Sequence, residues 1–145
     1  MHLALDALSW LGERTKDFGI AVNTSNRGFT AGKVVVPILN VNGELVSFMF
    51  FGKSKTIECV DSFRPELEIY NLHAVLGGNV PSYVTDHEIL YIVDGIEAVW
   101  DKAVVGQLAV AACAKNGITV DRINIVQDHC DHLFEEIRMC AALAK

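Results

Sequence analysis

Asn42-Gly43 lies between two runs rich in β-branched and aromatic residues, 34–41 and 44–51. Asn-Gly supplies the positive φ angles that a two-residue type I′ turn demands, so the pattern predicts a β-hairpin. Its register would set Leu39 opposite Val46 and Val35 opposite Phe50 on one face. Val36 with Met49, and Val34 with Phe51, would share the other. Both faces are apolar, which predicts cover on both sides. Pro37 lacks a backbone donor, so its strand lies at an edge or bulges there.

Around this hairpin the other elements follow from periodicity and turn formers. Residues 3–16 read as a helix, 18–22 as a short strand, and 23–28 as a loop. Residues 56–60 read as a third strand and 66–76 as a fourth, with Leu67, Ile69 and Val75 in phase. Thr85 and Glu88 have the spacing of a capping box, and Ile89, Val93, Ile96, Trp100 and Ala103 follow one helical face. A hairpin through Asp94-Gly95 is the alternative for that stretch. From 103 to 114 the only polar side chain is Gln107, which predicts a helix buried all round, with Gly117 just past its end. Residues 118–126 read as a strand with a bulge near Asp121 and Arg122. Asp128 then caps a last helix, with an apolar stripe through Cys130, Leu133, Phe134 and Ile137. The order α-β-β-β-β-α-β-α predicts an α+β fold, a mainly antiparallel sheet of about five strands with helices packed on it. The 145 residues show no linker or repeat, so a single domain over 1–145 is expected.

Composition narrows the function. Apolar residues make up 51% of the chain and charged ones 21%, with a mean hydropathy of +0.30, which argues against disorder. No 18-residue stretch is free of charge, which argues against a spanning helix. The start of the chain has no basic leader followed by an apolar run. Cys59, Cys113, Cys130 and Cys140 form no C-x-x-C pair, and read as reduced thiols of a cytoplasmic protein. The net charge is −6, and residues 66–145 hold 12 acidic against 5 basic side chains. With no basic stripe in view, neither nucleic acid nor membrane is expected as a partner.

Two sets of residues stand out as candidate sites. The run Asp128-His129-Cys130-Asp131-His132 is the densest group of potential metal ligands. His129 and His132 are three apart, so on a helix their rings lie side by side. With Asp131, and His87 from another element, they would suit a divalent metal such as zinc or iron. That reading gives a metal-binding protein or a metal-assisted hydrolase, and its bland counterpart is a capped helix with surface histidines. Cys130 in a first helical turn would have an activated thiol, unless it is simply a buried member of the stripe. Asn71 and His73 fall on one apolar strand face and would line a ligand pocket, or be satisfied core residues. The glycines at 28 and 32 lack the full phosphate-loop pattern.

The leading functional expectation comes from surplus apolar surface. Small residues dominate the run from 103: Ala103, Gly106, Ala109, Ala111, Ala112 and Ala114. They would let another element approach closely, with Gln107 bonding across the contact or to a backbone group. This points to a homodimer, a small binding or interaction domain for a small-molecule or protein ligand.

Overall fold

The computed structural model describes residues 12, 14–22, 34–51, 57–59, 64, 67–76, 81–114 and 117–144. Their contacts divide into two compact units, residues 1–38 with 45–63, and residues 39–44 with 64–145.

The first unit holds α1 (Arg14–Asp17) and a four-stranded sheet in the order β1-β2-β3-β4. Its strands are β1 (Ala21–Val22), β2 (Val34–Leu39), β3 (Leu45–Phe51) and β4 (Ile57–Cys59). β1 runs antiparallel to β2, with Ala21 opposite Val35, and β3 antiparallel to β4, with Phe50 opposite Glu58. Period-two alternation shapes β2: Val34, Val36 and Ile38 are buried, while Val35, Pro37 and Leu39 are half-buried. On β3, Met49 and Phe50 are buried, but Leu45, Val46 and Phe48 are exposed, so the expected double cover stops short of them.

The hairpin forms with a different turn. Gly43 N donates to Asn40 O (2.9 Å) and Asn40 N to Glu44 O (2.9 Å). The Asn40 side-chain oxygen accepts from Asn42 N and Glu44 N, each at 3.0 Å. Gly43 has φ 83° and Asn42 stays at negative φ, so the loop spans 41–43 with glycine in the left-handed position. The Asn40 side chain substitutes for backbone partners in the loop, a local bond that competes with a two-residue turn.

The second unit is built on β5 (Ile69–Tyr70), β6 (Ile89–Val93), β7 (Leu108–Ala112) and β8 (Glu136–Met139). The sheet order is β5-β7-β6-β8. β6 is parallel to both β7 and β8, and β5 is antiparallel to β7. Between the strands run α2 (Leu72–Leu76), α3 (Ile96–Val104) and α4 (Val120–Cys130). Leu90 lies beside Leu108 and Ile137, and these side chains, with Ile92 and Val110, pack against Val126 and Cys130 of α4. The opposite face carries Tyr91, Val93, Ala109 and Ala111, and α3 covers it with Ile96, Val99, Trp100 and Ala103, all buried. Helices therefore lie on both faces of a largely parallel sheet. The α+β class stands; one mainly antiparallel sheet of about five strands is replaced by two four-stranded sheets, the second of mixed direction.

The sequence reading of several elements is corrected here, each for a physical reason. The all-apolar run over 103–114 is the end of α3, a turn, and then β7. A strand buried on both faces reads as a continuous apolar run, which periodicity does not separate from a buried helix. Gly106, at φ 80°, ends α3: its N–H donates to Ala103 O (3.0 Å) while Gln107 N reaches Lys102 O (2.9 Å), a paired glycine C-cap. The strand read over 118–126 is α4. Thr119 caps it by accepting from Arg122 N at 3.2 Å, and the slip at Asp121 and Arg122 is the first helical turn. Residues 89–93 are strand rather than helix. Thr85, expected to cap a helix there, instead donates its N–H to Gly106 O at 2.8 Å. The fourth strand stops at Tyr70, since Asn71 turns to φ 73° and α2 begins.

Candidate functional site

At the carboxyl end of β6 the chain turns into α3 through Asp94-Gly95. Gly95 sits at φ 80° and ψ 161°, a region that only glycine occupies readily. No side chain caps the first turn of α3, and Glu97 lies within it. The Asp94 carboxylate accepts the Ala142 N–H with both oxygens, at 3.0 and 3.1 Å. That bond ties the segment after β8 to the end of β6. α3 leaves β6 toward one face and α4, which follows β7, packs on the other. Parallel sheets place their ligands in the crevice where such connections diverge, here between the carboxyl ends of β6 and β7.

The same end of the sheet carries a second carboxyl group. Cys113 N donates to Glu68 O at 3.4 Å. Burial raises the Glu68 side chain above its usual carboxylate range, against the lowering pull of Arg122. Arg122 also donates from Nη1 to Leu67 O at 2.9 Å.

The face beneath α3 extends past that helix onto β8, where Arg138 lies beside Tyr91 in register. The Lys102 ammonium lies 4.2 Å from the centre of the Tyr91 ring, and the Arg138 guanidinium carbon 5.5 Å from it. Both distances suit a cation–π contact. The Tyr91 hydroxyl accepts from Gln107 Nε2 at 3.2 Å. Arg138 Nε donates to Glu136 Oε2 at 2.6 Å on the exposed edge strand. Deeper on the same face, Trp100 Nε1 donates to the Tyr70 hydroxyl at 3.0 Å, and burial pushes the Tyr70 phenol far above its usual value. On the other face, α4 and β8 border an open apolar pocket of about 490 Å³ lined by Ile92, Ile123, Gln127, Ile137 and Leu143 among others.

The residues singled out from the sequence are dispersed. His129 lies in the last turn of α4, where its Nδ1 is 2.8 Å from Ile125 O. Asp131 and His132 follow in the exposed turn after that helix, and His87 is exposed before β6. Among the described residues no group of three or more His, Cys, Asp or Glu side chains is placed to hold a metal ion. Cys130 ends α4 and is fully buried; burial, with Asp131, pushes its thiol up to about 11, so it is not activated. Asn71 is buried and donates from Nδ2 to Ala109 O at 3.0 Å. His73 lies on α2, its pKa lowered by burial and its Nδ1 buried without a hydrogen-bond partner among the described residues. Asp94, Lys102, Tyr91 and Arg138 were not marked by the sequence. A turn at Asp94-Gly95 is only the alternative that the sequence offers to a continuous helix, and nothing relates Lys102 to Arg138 until β8 pairs with β6.

No family profile matches the chain, and no curated protein matches it. Solved structures do resemble it. A DnaG primase catalytic domain bound to ssDNA aligns with a TM-score of 0.57 at 18% identity, over 88% of this chain and 46% of that one. The E. coli primase catalytic core aligns with a TM-score of 0.57 at 20% identity, over 94% of this chain and 42% of that one. The Aquifex aeolicus primase, with zinc-binding and RNA polymerase domains, aligns at 0.55 and 15% identity, over 83% and 30%. The likeness establishes a primase-like fold, and this chain spans less than half the length of each of these structures.

Two functional expectations are thereby corrected. The small homodimeric ligand-binding domain, and its alternative of a metal-binding protein or hydrolase using His129, His132 and Asp131, give way to a fold shared with primase catalytic domains. Most of the apolar run assigned to a dimer is internal: Leu108, Ala109, Val110 and Ala111 are each at most 1% exposed, Gln107 bonds to Tyr91 within the chain, and Val105 in the turn stays exposed. The exclusion of nucleic acid also falls, because this fold occurs in a primase catalytic domain bound to ssDNA. Net charge sums the whole surface and does not report local clusters of cations, such as Lys102 and Arg138 beside Tyr91 in the acidic half.

Proposed function

We propose that this chain is a primase-like domain that binds single-stranded nucleic acid. The carboxyl ends of β6 and β7, around Asp94-Gly95, would be the point where a phosphate or nucleotide approaches the sheet. The observation that carries the reading is the shared fold over 88% of the chain with a DnaG primase catalytic domain bound to ssDNA. The topology supports it, since the divergence of α3 and α4 opens a crevice at that end. Asp94 keeps lone pairs beyond those that accept the Ala142 N–H, so its carboxylate remains able to take a further donor or cation. Work on nucleic acid agrees with a cytoplasmic location, as do the free thiols of Cys113, Cys130 and Cys140. No helix among the described residues is long and apolar enough to cross a membrane.

The test is fluorescence anisotropy with a labelled single-stranded oligonucleotide in a salt series, with duplex of the same sequence as comparison. Binding that weakens log-linearly with salt and prefers the single strand is expected. Absence of binding at low salt refutes the reading. Template-directed ribonucleotide incorporation, run alongside, decides whether the domain also carries nucleotidyl transfer.

A further inference from the structure

We infer that Lys102 and Arg138, held over Tyr91, are the phosphate-backbone contacts for the bound single strand. This rests on the proposed binding of single-stranded nucleic acid and adds the surface that holds it. The two cations come from different elements, α3 and β8, and converge on one ring at 4.2 and 5.5 Å. Tyr91 is 5% exposed, so it serves as a floor beneath the cations rather than as a stacking platform for a base. Gln107 fixes the ring by bonding its hydroxyl. Glu136 engages only Nε of Arg138, through Oε2, and side chains of both are 48% exposed. The terminal amino groups of the guanidinium make no further hydrogen bond among the described residues, and they are the fork that suits a phosphate.

Placement supports the same conclusion. α3 lies over β7 and β6, so the β8 part of this face stays open beside it. Tyr91 precedes Asp94 by three residues on β6, roughly 10 Å at strand rise. A chain of phosphates lying along β8 would pass the cation pair and then reach the Asp94-Gly95 turn. In a half of the chain with 12 acidic and 5 basic side chains, these two cations mark the part of this face where an anionic strand meets positive charge.

The test uses the full chain with labelled oligo-dT and oligo-rU of equal length, which separates DNA from RNA as the source of the phosphates. Lys102→Met keeps the aliphatic stem over the ring, and Arg138→Gln keeps a polar edge. The double variant is expected to bind at least tenfold more weakly and to lower the slope of log affinity against log salt by about 1.4, the release expected from two single-strand phosphate contacts. Lys102→Arg should restore most of the loss. Glu136→Gln should tighten binding, because it removes the carboxylate that competes for Arg138. Unchanged affinity and slope in the double variant overturn this inference and leave the proposed function standing. A lowered Tm with an unchanged slope assigns the pair a structural role and likewise overturns it. Failure of the unaltered protein to bind either oligonucleotide overturns both.

Discussion

The two faces of the second unit's sheet are made by the same strands and differ in chemistry. Toward α4 the side chains are aliphatic: Leu90, Ile92, Leu108, Val110 and Ile137. Toward α3 they are mostly small or aromatic, Ala109, Ala111, Tyr91 and Tyr70 with Val93, and Trp100 of α3 packs on them. The aliphatic face tolerates any arrangement that fills its volume, because burial is non-directional. The aromatic face is directional, since each hydroxyl or indole N–H needs a partner once buried. Its hydrogen bonds, Trp100 to Tyr70 and Gln107 to Tyr91, form a polar layer that ends at the two surface cations. One face holds the fold together, and the other also presents chemistry at its margin.

The largest effect tests the aliphatic face. Val110 is fully buried, so Val110→Asp places an unpaired carboxylate in the central strand and should cost more than about 4 kcal/mol. Urea titration of the full chain should find no folded baseline for the second unit. A retained cooperative transition near the original midpoint would mean that this face is not the core.

Next in size is the conservative pair that separates the faces. Tyr70→Phe deprives Trp100 Nε1 of the Tyr70 oxygen and should cost about 1–3 kcal/mol. Ile92→Leu on the aliphatic face, a volume-matched swap, should cost less than about 1.5 kcal/mol. Equal losses in denaturant midpoint would erase the distinction between a directional and a non-directional face.

Gly106 joins the two faces, because it closes α3 and lets the chain enter β7. At φ 80°, with the Thr85 side chain against the place where a Cβ would stand, Gly106→Ala should cost about 1–3 kcal/mol. The companion change Thr85→Ala, which removes the hydroxyl that a Cβ would meet, should recover little, since the backbone strain remains; full recovery would show that crowding alone sets the cost.

The smallest effect is one of pH. Burial lowers the His73 pKa below its ordinary 6.5, so the folded state favours the neutral ring. Its stability contribution is present above that ordinary value and is lost as the pH falls from there toward the lowered one. The thermal midpoint of the unaltered protein should drop over that range, and His73→Gln should flatten the drop. A profile identical in the variant would assign acid sensitivity to other groups. Thiol labelling gives a parallel check on depth: exposed Cys140 should react at once, while Cys130, buried with its thiol pushed up to about 11, should react only on unfolding.

How much of this was legible from sequence depends on whether the signal is local. The hairpin was legible because Asn42-Gly43 and the runs beside it act within a few residues, although the bonds of the Asn40 side chain moved the turn. The third strand and the α+β class were legible for the same reason. β6 and β7 were not, because strands buried on both faces lose the alternation that marks a strand. α4 was missed because Val120, Ile123, Ile125 and Val126 are β-branched, and the packed face against the sheet outweighs that propensity. The candidate site was the least legible part. The dense histidine run attracted notice and lies exposed, while Lys102 and Arg138 are 36 positions apart and meet only through strand pairing.

By itself, the sequence determined the hairpin near Asn42-Gly43 and a chain with enough apolar content to bury both a sheet and its helices. These follow from φ preferences and hydrophobic partition, which act within a short segment. Only the tertiary structure decided the strand order β5-β7-β6-β8, the sides taken by α3 and α4, and the meeting of Lys102, Tyr91 and Arg138. Those depend on which buried strand lies beside which, a choice made by packing among residues far apart in the chain and left unmarked in any local pattern.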